Sequence, residues 1–221
     1  MKTAIIIGST GLIGSHLLNL LLDSNDYVNV ITLVKRDAGI KHKKLTQHII
    51  DFDKPETYEE LVVGDDFFCT IGTTIKKAGS KESFRKVDFE YPRQFATFAL
   101  QNKVKQFLII SSLDADAKSG NFYLKTKGQI QDFLKDSNFE SVSVLQPSLL
   151  LGDRKEFRLG EKIGAFFMKT LSFMFLGNLK KYKAIEAKTV AKAMLVIAQK
   201  NNSGFKIYES DVIQEMANKK S

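Results

Sequence analysis

Cysteine occurs once, at Cys69, and histidine only three times in 221 residues. One cysteine excludes an intramolecular disulfide, and three histidines without a ligand pattern argue against a metal centre. No internal repeat and no low-complexity linker interrupts the chain. The most apolar helical stretch, 161–175, is too short and too broken by Lys162 and Lys169 to span a bilayer. Ala4 to Leu22 is largely apolar, but Gly8, Gly11 and Gly14 punctuate it and no small-residue cleavage site follows, so it does not read as a secretory signal. These absences predict a cytoplasmic protein with no membrane span. The formal charge of +8 suits anionic ligands. Its lysines are scattered, with small clusters such as Lys41-His42-Lys43-Lys44, and no recognition motif or basic stripe with interleaved aromatics accompanies them. They read as a solvated surface, and no nucleic-acid partner is expected.

What is present starts at Thr3. A β-branched run ends in glycines at positions 8, 11 and 14, and an apolar-periodic segment follows at once. This predicts a strand, a tight turn and a helix. Gly8 lets the chain leave the strand sharply, Gly11 puts no Cβ between the backbone and a pyrophosphate, and Gly14 lets the helix pack close to the strand. The amides of such a helix start face an anion. Gly8, Ser9, Thr10, Gly11, Leu12, Ile13 and Gly14 are therefore the first candidate cofactor contacts.

Leu17, Leu18, Leu21 and Leu22 then recur at helical spacing. Val28 to Val34 predicts the next strand and ends at Lys35 and Arg36, where such folds meet the adenosine ribose. Two cations suit a 2′-phosphate, so NADP is expected over NAD; the alternative is a pair of solvated basic residues at a strand end, which the nearby Asp37 keeps open. A strand over Gln47 to Ile50 brings Asp51 and Phe52 toward the adenine. A strand over Asp66 to Ile71 is followed by Gly72-Thr73-Thr74, a small-residue turn that lets a dinucleotide pass, and Thr70, Ile71 and Gly72 are candidate cofactor contacts. Cys69, inside this strand, reads as a small buried residue.

A long helix is expected from Lys81 to Lys103, kinked or broken at Pro92. Strands over Phe107 to Ser111 and Val142 to Leu145 flank a helix over Phe122 to Ser137. Beyond residue 150 come an aromatic helix over Glu161 to Phe175, an amphipathic helix over Thr189 to Gln199, a strand over Gly204 to Tyr208 and a polar tail from Ala217. The aromatic helix reads as core or pocket wall first, a partner or membrane surface second. The alternation predicts an α/β fold, a doubly wound parallel sheet with helices on both faces and a small C-terminal substrate-side appendage. Residues 1–150 form the nucleotide-binding part and 151–221 a small region integrated with it.

Chemistry collects at Ser111-Ser112 and at Tyr123 and Lys127. Tyr123 and Lys127 are four apart, so on a helix they share a face. A phenol titrating near ~10 exchanges protons poorly at neutral pH, and a nearby ammonium stabilises its phenolate. A hydroxyl at the preceding strand end can hold a substrate oxygen while the phenol exchanges its proton. Arg154 and Arg158 follow the sixth strand and suit either an anionic substrate or a structural pairing.

The whole resembles the short-chain dehydrogenase/reductase superfamily, in its extended and atypical branches, and is most similar to the small Tat-interacting-protein-like oxidoreductases. The resemblance rests on Gly8 to Gly14, Phe68 to Thr74, Phe84-Arg85-Lys86-Val87-Asp88, Ile110-Ser111-Ser112, Asn121 to Gly128 and Pro147 to Arg154. It implies a Rossmann-type domain with Tyr123 as acid/base. Lys127 would bind the nicotinamide ribose and lower the tyrosine pKa, and Ser112 would position the substrate, with Ser111 as the competing serine. Pro147, Ser148 and Leu149 would flank the nicotinamide. The expected partners are NADP, a small carbonyl or alcohol substrate, and a second copy of the chain in a homodimer. The rival implication is a non-enzymatic NADP-responsive regulator. Gln146 stands where many relatives carry arginine, and the short tail speaks against a sugar-nucleotide epimerase.

Overall fold

The computed structural model describes residues 1–152, 177–200 and 202–219, the side chains of 177–179 excepted. Seven parallel strands form one sheet, with β1 (Lys2–Ile7), β2 (Tyr27–Val34), β3 (Leu45–Ile49), β4 (Asp66–Cys69), β5 (Gln106–Ile110), β6 (Ser141–Gln146) and a late strand, Gly204–Glu209, in the order β3-β2-β1-β4-β5-β6 and then the late strand. Two short strands, β7 (Leu150–Leu151) and β8 (Ile185–Glu186), pair with each other outside it, which makes the late strand β9. The order reverses between β1 and β4, and ligands of such sheets bind in the crevice at that reversal, beyond the strand carboxyl ends.

The helices are α1 (Leu12–Asp23), α2 (Ile75–Ala78), α3 (Lys81–Arg85), α4 (Tyr91–Gln101), α5 (Phe122–Lys135), α6 (Ala187–Gln199) and α7 (Ser210–Asn218). A sheet covered on both faces needs apolar side chains on both, and β1 supplies them alternately. Ala4 and Ile6 join the core under α1, α6 and α7 with Leu17, Leu18, Leu21, Met194 and Ile213. Ile5 and Ile7 join the opposite core, where Phe67 stacks on Phe107 at 4.9 Å and Phe95 packs against Tyr58 at 5.0 Å.

The helix expected over Lys81 to Lys103 is a continuous helical run from Lys81 to Gln101, and the irregularity expected at Pro92 is a π turn at Lys86–Glu90 just before it. The Tyr91 amide returns to Lys86 O, and Pro92, which has no N–H to return to the preceding turn, follows it. The structure departs from expectation at the C-terminus, where Ala217 belongs to α7 and is buried, so the polar tail begins later than expected. Ile213 and Ala217, four apart, carry the apolar face that docks this helix. The aromatic segment 161–175, and Arg154 and Arg158, lie outside the described residues.

Candidate nucleotide and substrate site

The glycine turn connects β1 to α1 at the strand reversal. Gly8 has φ +81°, and a Cβ there would stand 2.7 Å from the Ile71 nitrogen. A Cβ on Gly14 would stand 2.1 Å from the Gly8 carbonyl oxygen and 2.6 Å from Thr70 Oγ1. Both glycines are thus demanded by the fold. Gly11 is different. Its backbone, φ −80° and ψ 177°, suits any residue, and a Cβ would stand 3.1 Å from Gly8 O, a tight contact but far looser than those at Gly8 and Gly14, and 4.0 Å from Thr70 O. Gly11 caps α1 with no side-chain hydrogen bond, and no acid occupies the first turn. The first amides of a helix have no partner within it and lie at the positive end of its dipole. Gly11 is exposed and carries no side chain, and this helix start fits a pyrophosphate.

The neighbouring side chains brace the turn. Ser9 is buried with its hydroxyl 2.6 Å from Thr32 Oγ1, and Thr70 Oγ1 donates to Ile7 O at 2.7 Å. Ile13 packs in the core. Leu12 lies 2.7 Å from where a Gly152 Cβ would stand, so the chain after β7 passes close to the turn. Thr10 and Gly72 are exposed and Ile71 is half-buried.

At the end of β2, Lys35 and Arg36 are both exposed. The Lys35 ammonium lies 5.2 Å from the ring centres of Phe52 and Tyr91. Asp37 accepts from the Gly39 amide at 2.8 Å and from Gln47, and these bonds hold its carboxyl below the usual range. Asp51 is exposed, whereas Phe52 is taken into the core against Tyr58, Tyr91 and Phe95. Its ring face is used by that packing, which limits what it offers an adenine.

On the substrate side, Asn121 caps α5 by accepting from the amides of Tyr123 and Leu124. Tyr123 packs on Phe84 at 5.4 Å. Lys127 is buried, and its ammonium stands 2.7 Å from Asp88 Oδ1. Burial alone would favour the neutral amine, but the Asp88 carboxylate and Tyr123 outweigh it and raise the lysine above its ordinary value. Asp88 Oδ2 accepts from the Thr73 amide at 2.9 Å, tying the pair to the turn after β4. A Gly72 Cβ would lie 3.4 Å from Asp88 Oδ1 and 3.6 Å from Lys127 Nζ, so that turn lies against the pair. Cys69 is buried nearby and its thiol is pushed up to about 12 by that burial, which makes it inert.

The two serines differ. Ser111 is buried and accepts from Gln131 Nε2 at 2.6 Å, and Gln131 accepts in turn from Gln146 at 3.0 Å. Ser112 is half-buried, with Ser111 bonded into the sheet behind it through Leu145 O. Pro147 O receives the Leu113 amide and Leu149 O the Ile185 amide. Ser148 donates to Lys183 O at 2.5 Å and lies 3.0 Å from Ser210 Oγ, so its hydroxyl serves the fold. The sequence pattern gives no role to Asp88 or Gln131, and places Thr73 only in the turn after β4. The available signal was an acid in an otherwise apolar-aromatic helical face.

A parallel sheet reversing at a glycine turn, with a helix start beneath it that has no acid in its first turn, defines a Rossmann-type dinucleotide-binding protein. The NAD(P)H-binding family model matches residues 8–200, and the chain belongs to that family as an atypical short-chain dehydrogenase/reductase. It is 32% identical to Protein HTATIP2 of Rattus norvegicus over 198 residues, 88% of this chain and 80% of that one. Its identity to the mitochondrial Protein FMP52 of Candida albicans is 31% over 205 residues, 90% and 89% of the two chains. The Bordetella bronchiseptica enzyme WbmH, solved with NAD+, shares the fold at TM-score 0.69 and 18% identity, covering 99% of this chain and 79% of that one. The cytoplasmic expectation is overturned: several fungal relatives are named mitochondrial. It had rested on the lack of a secretory signal, which does not bear on that compartment. No helix among the described residues is long and apolar enough to cross a membrane.

Proposed function

We propose that this protein is an NADP-dependent oxidoreductase acting on a small carbonyl or alcohol substrate. The observation that carries the cofactor half is Gly11, an exposed glycine whose backbone conformation does not call for glycine, at a helix start with no acid in its first turn. Gly8 to Gly14 hold the pyrophosphate through backbone amides. Lys35 and Arg36 meet the 2′-phosphate, a reading favoured by the commitment of Asp37 to Gly39 and Gln47. When bound, the nicotinamide supplies or accepts the hydride. Tyr123 gives its proton to the substrate oxygen in reduction and takes it back in oxidation. Ser112 holds that oxygen, since Ser111 is already bonded to Gln131. Lys127 binds the nicotinamide ribose and keeps positive charge beside the phenol. Gly72 leaves room for the dinucleotide, and the backbone of Pro147, Ser148 and Leu149 flanks the ring. Two copies associate as a homodimer, and the setting is mitochondrial, as the names of the fungal relatives suggest.

The test is NADPH consumption against a panel of aldehydes, ketones and quinones by wild type and Tyr123→Phe. The variant should bind NADPH normally and lose about 10²–10⁴ in turnover, the usual scale of a positioned proton donor. Equal turnover by both proteins would remove Tyr123 from the reaction. A second reading, an NADP-responsive regulator, draws on the aromatic composition of 161–175; it expects partner binding that tracks NADPH and ignores Tyr123→Phe.

A further inference from the structure

The reading above leaves unexplained why an acid is buried against Lys127. Asp88 is 1% exposed, although carboxylates are almost never fully buried without a partner. It sits in the middle of the π turn Lys86–Glu90, and a π turn adds a residue to the helical repeat and re-aims the side chains around it. One oxygen is fixed by the Thr73 amide at 2.9 Å and the other faces the Lys127 ammonium at 2.7 Å. The acid therefore joins the turn after β4 to the helix that carries Tyr123.

We propose that Asp88 is a positioning residue: held by Thr73, it fixes the Lys127 ammonium beside Gly72 and keeps it charged in a buried site. The proposal rests on the reading of Lys127 as a cofactor contact. Among the described residues, the ionisable groups that face the ammonium are Asp88 from the π turn, Tyr123 from its own helix and Cys69 from β4. Cys69 stays a thiol, so Asp88 supplies the countercharge. Without it, burial drives Lys127 to shed its proton as the pH rises.

The test is NADPH affinity, followed by fluorescence from about pH 6 to about pH 9.5, a window below the ordinary lysine value near ~10.4. Asp88→Asn keeps the acceptor for Thr73 and removes the charge. Relative to wild type, its affinity should match at the acid end and fall at the alkaline end, by up to about tenfold per pH unit beyond the new midpoint. Lys127→Met should weaken binding by a factor that does not change with pH. A constant ratio of Asp88→Asn to wild type, with Lys127→Met weakened, would overturn the role of Asp88 and leave Lys127 as a cofactor contact. Undiminished binding by Lys127→Met would overturn that contact itself. If Asp88→Asn does not fold, Asp88→Glu serves in its place. It keeps the charge and should show no alkaline loss relative to wild type, and such a loss would overturn the proposal.

Discussion

Replacement of Gly128 by alanine puts two opposed effects in one methyl group. Gly128 lies inside α5, one residue after Lys127. In an open helix, glycine to alanine gains about 1 kcal/mol from backbone entropy. Here the new Cβ would stand 2.1 Å from the Ala117 nitrogen, 2.2 Å from the Asp116 carbonyl carbon and 2.7 Å from the Asp116 Cα. All three are backbone atoms of the loop between β5 and α5, so the helix and loop must separate by more than an ångström to admit the methyl. Overpacking of this kind costs about 1–3 kcal/mol and occasionally more. With three backbone contacts at once, the upper part of that range applies, and a net loss of about 1–2 kcal/mol remains after the helical gain. For a chain of this size, each kcal/mol moves Tm by about 2–4 °C, so thermal unfolding should shift down by roughly 2–8 °C. Urea denaturation should move its midpoint with an unchanged slope. A variant as stable as wild type, or more so, would refute the close seating of α5 on the loop that follows Ser112.

Two further outcomes follow from other parts of the molecule. Asp66, 2% exposed at the opposite end of the sheet, accepts from Tyr27 Oη at 2.7 Å and Gln106 Nε2 at 3.1 Å, and pairs with Lys2 at 3.1 Å. Asp66→Ala strands these groups and should cost about 3–5 kcal/mol in urea denaturation, whereas a loss under about 1 kcal/mol would show that water or rearrangement replaces the carboxylate. Arg36→Ala should weaken NADPH by the worth of a charged hydrogen bond, about 1.5–3 kcal/mol, and leave NADH unchanged in paired titrations. Equal losses for both cofactors would separate Arg36 from the 2′-phosphate.

How far the fold could be read from residues depended on whether the determining interactions were local. The β-branched run Thr3 to Ile7, the leucines of α1 and the glycine spacing are near-neighbour patterns, and each yields its element directly. The irregularity before Pro92 was half legible. Proline announced an interruption, but the π turn that precedes it, and the acid it turns inward, depend on Lys127 and Thr73, which are 39 and 15 residues away from Asp88. The same holds for the serines. Ser111 and Ser112 are indistinguishable as a dipeptide, and only Gln131 and Gln146, brought together by α5 and β6, separate a braced hydroxyl from a half-buried one. Phe52 was read as a ligand contact because it ends a strand, and the aromatic cluster that claims it comes from Tyr58, Tyr91 and Phe95. Helix α7 went unread because its apolar positions are few and depend on α6 for burial. The three glycines follow from spacing alone, yet only the packing separates Gly8 and Gly14, where a Cβ would collide with backbone, from Gly11, where it would make one tight contact.

That distinction supplies the most direct measurement. Aspartate is a good helix N-cap, and its new Cβ would stand 3.1 Å from Gly8 O, so Gly11→Asp should fold once that oxygen shifts by a few tenths of an ångström, the cap offsetting the cost. Its side chain would bond the amides of the first turn and repel a phosphate. Titration of NADPH into the two folded proteins should give saturable binding to wild type and none, or weakening of more than about a hundredfold, in the variant, a difference above about 2.7 kcal/mol. Equal affinity in both would contradict the placement of the pyrophosphate over Gly11 and, with it, the central claim that this helix start holds the cofactor.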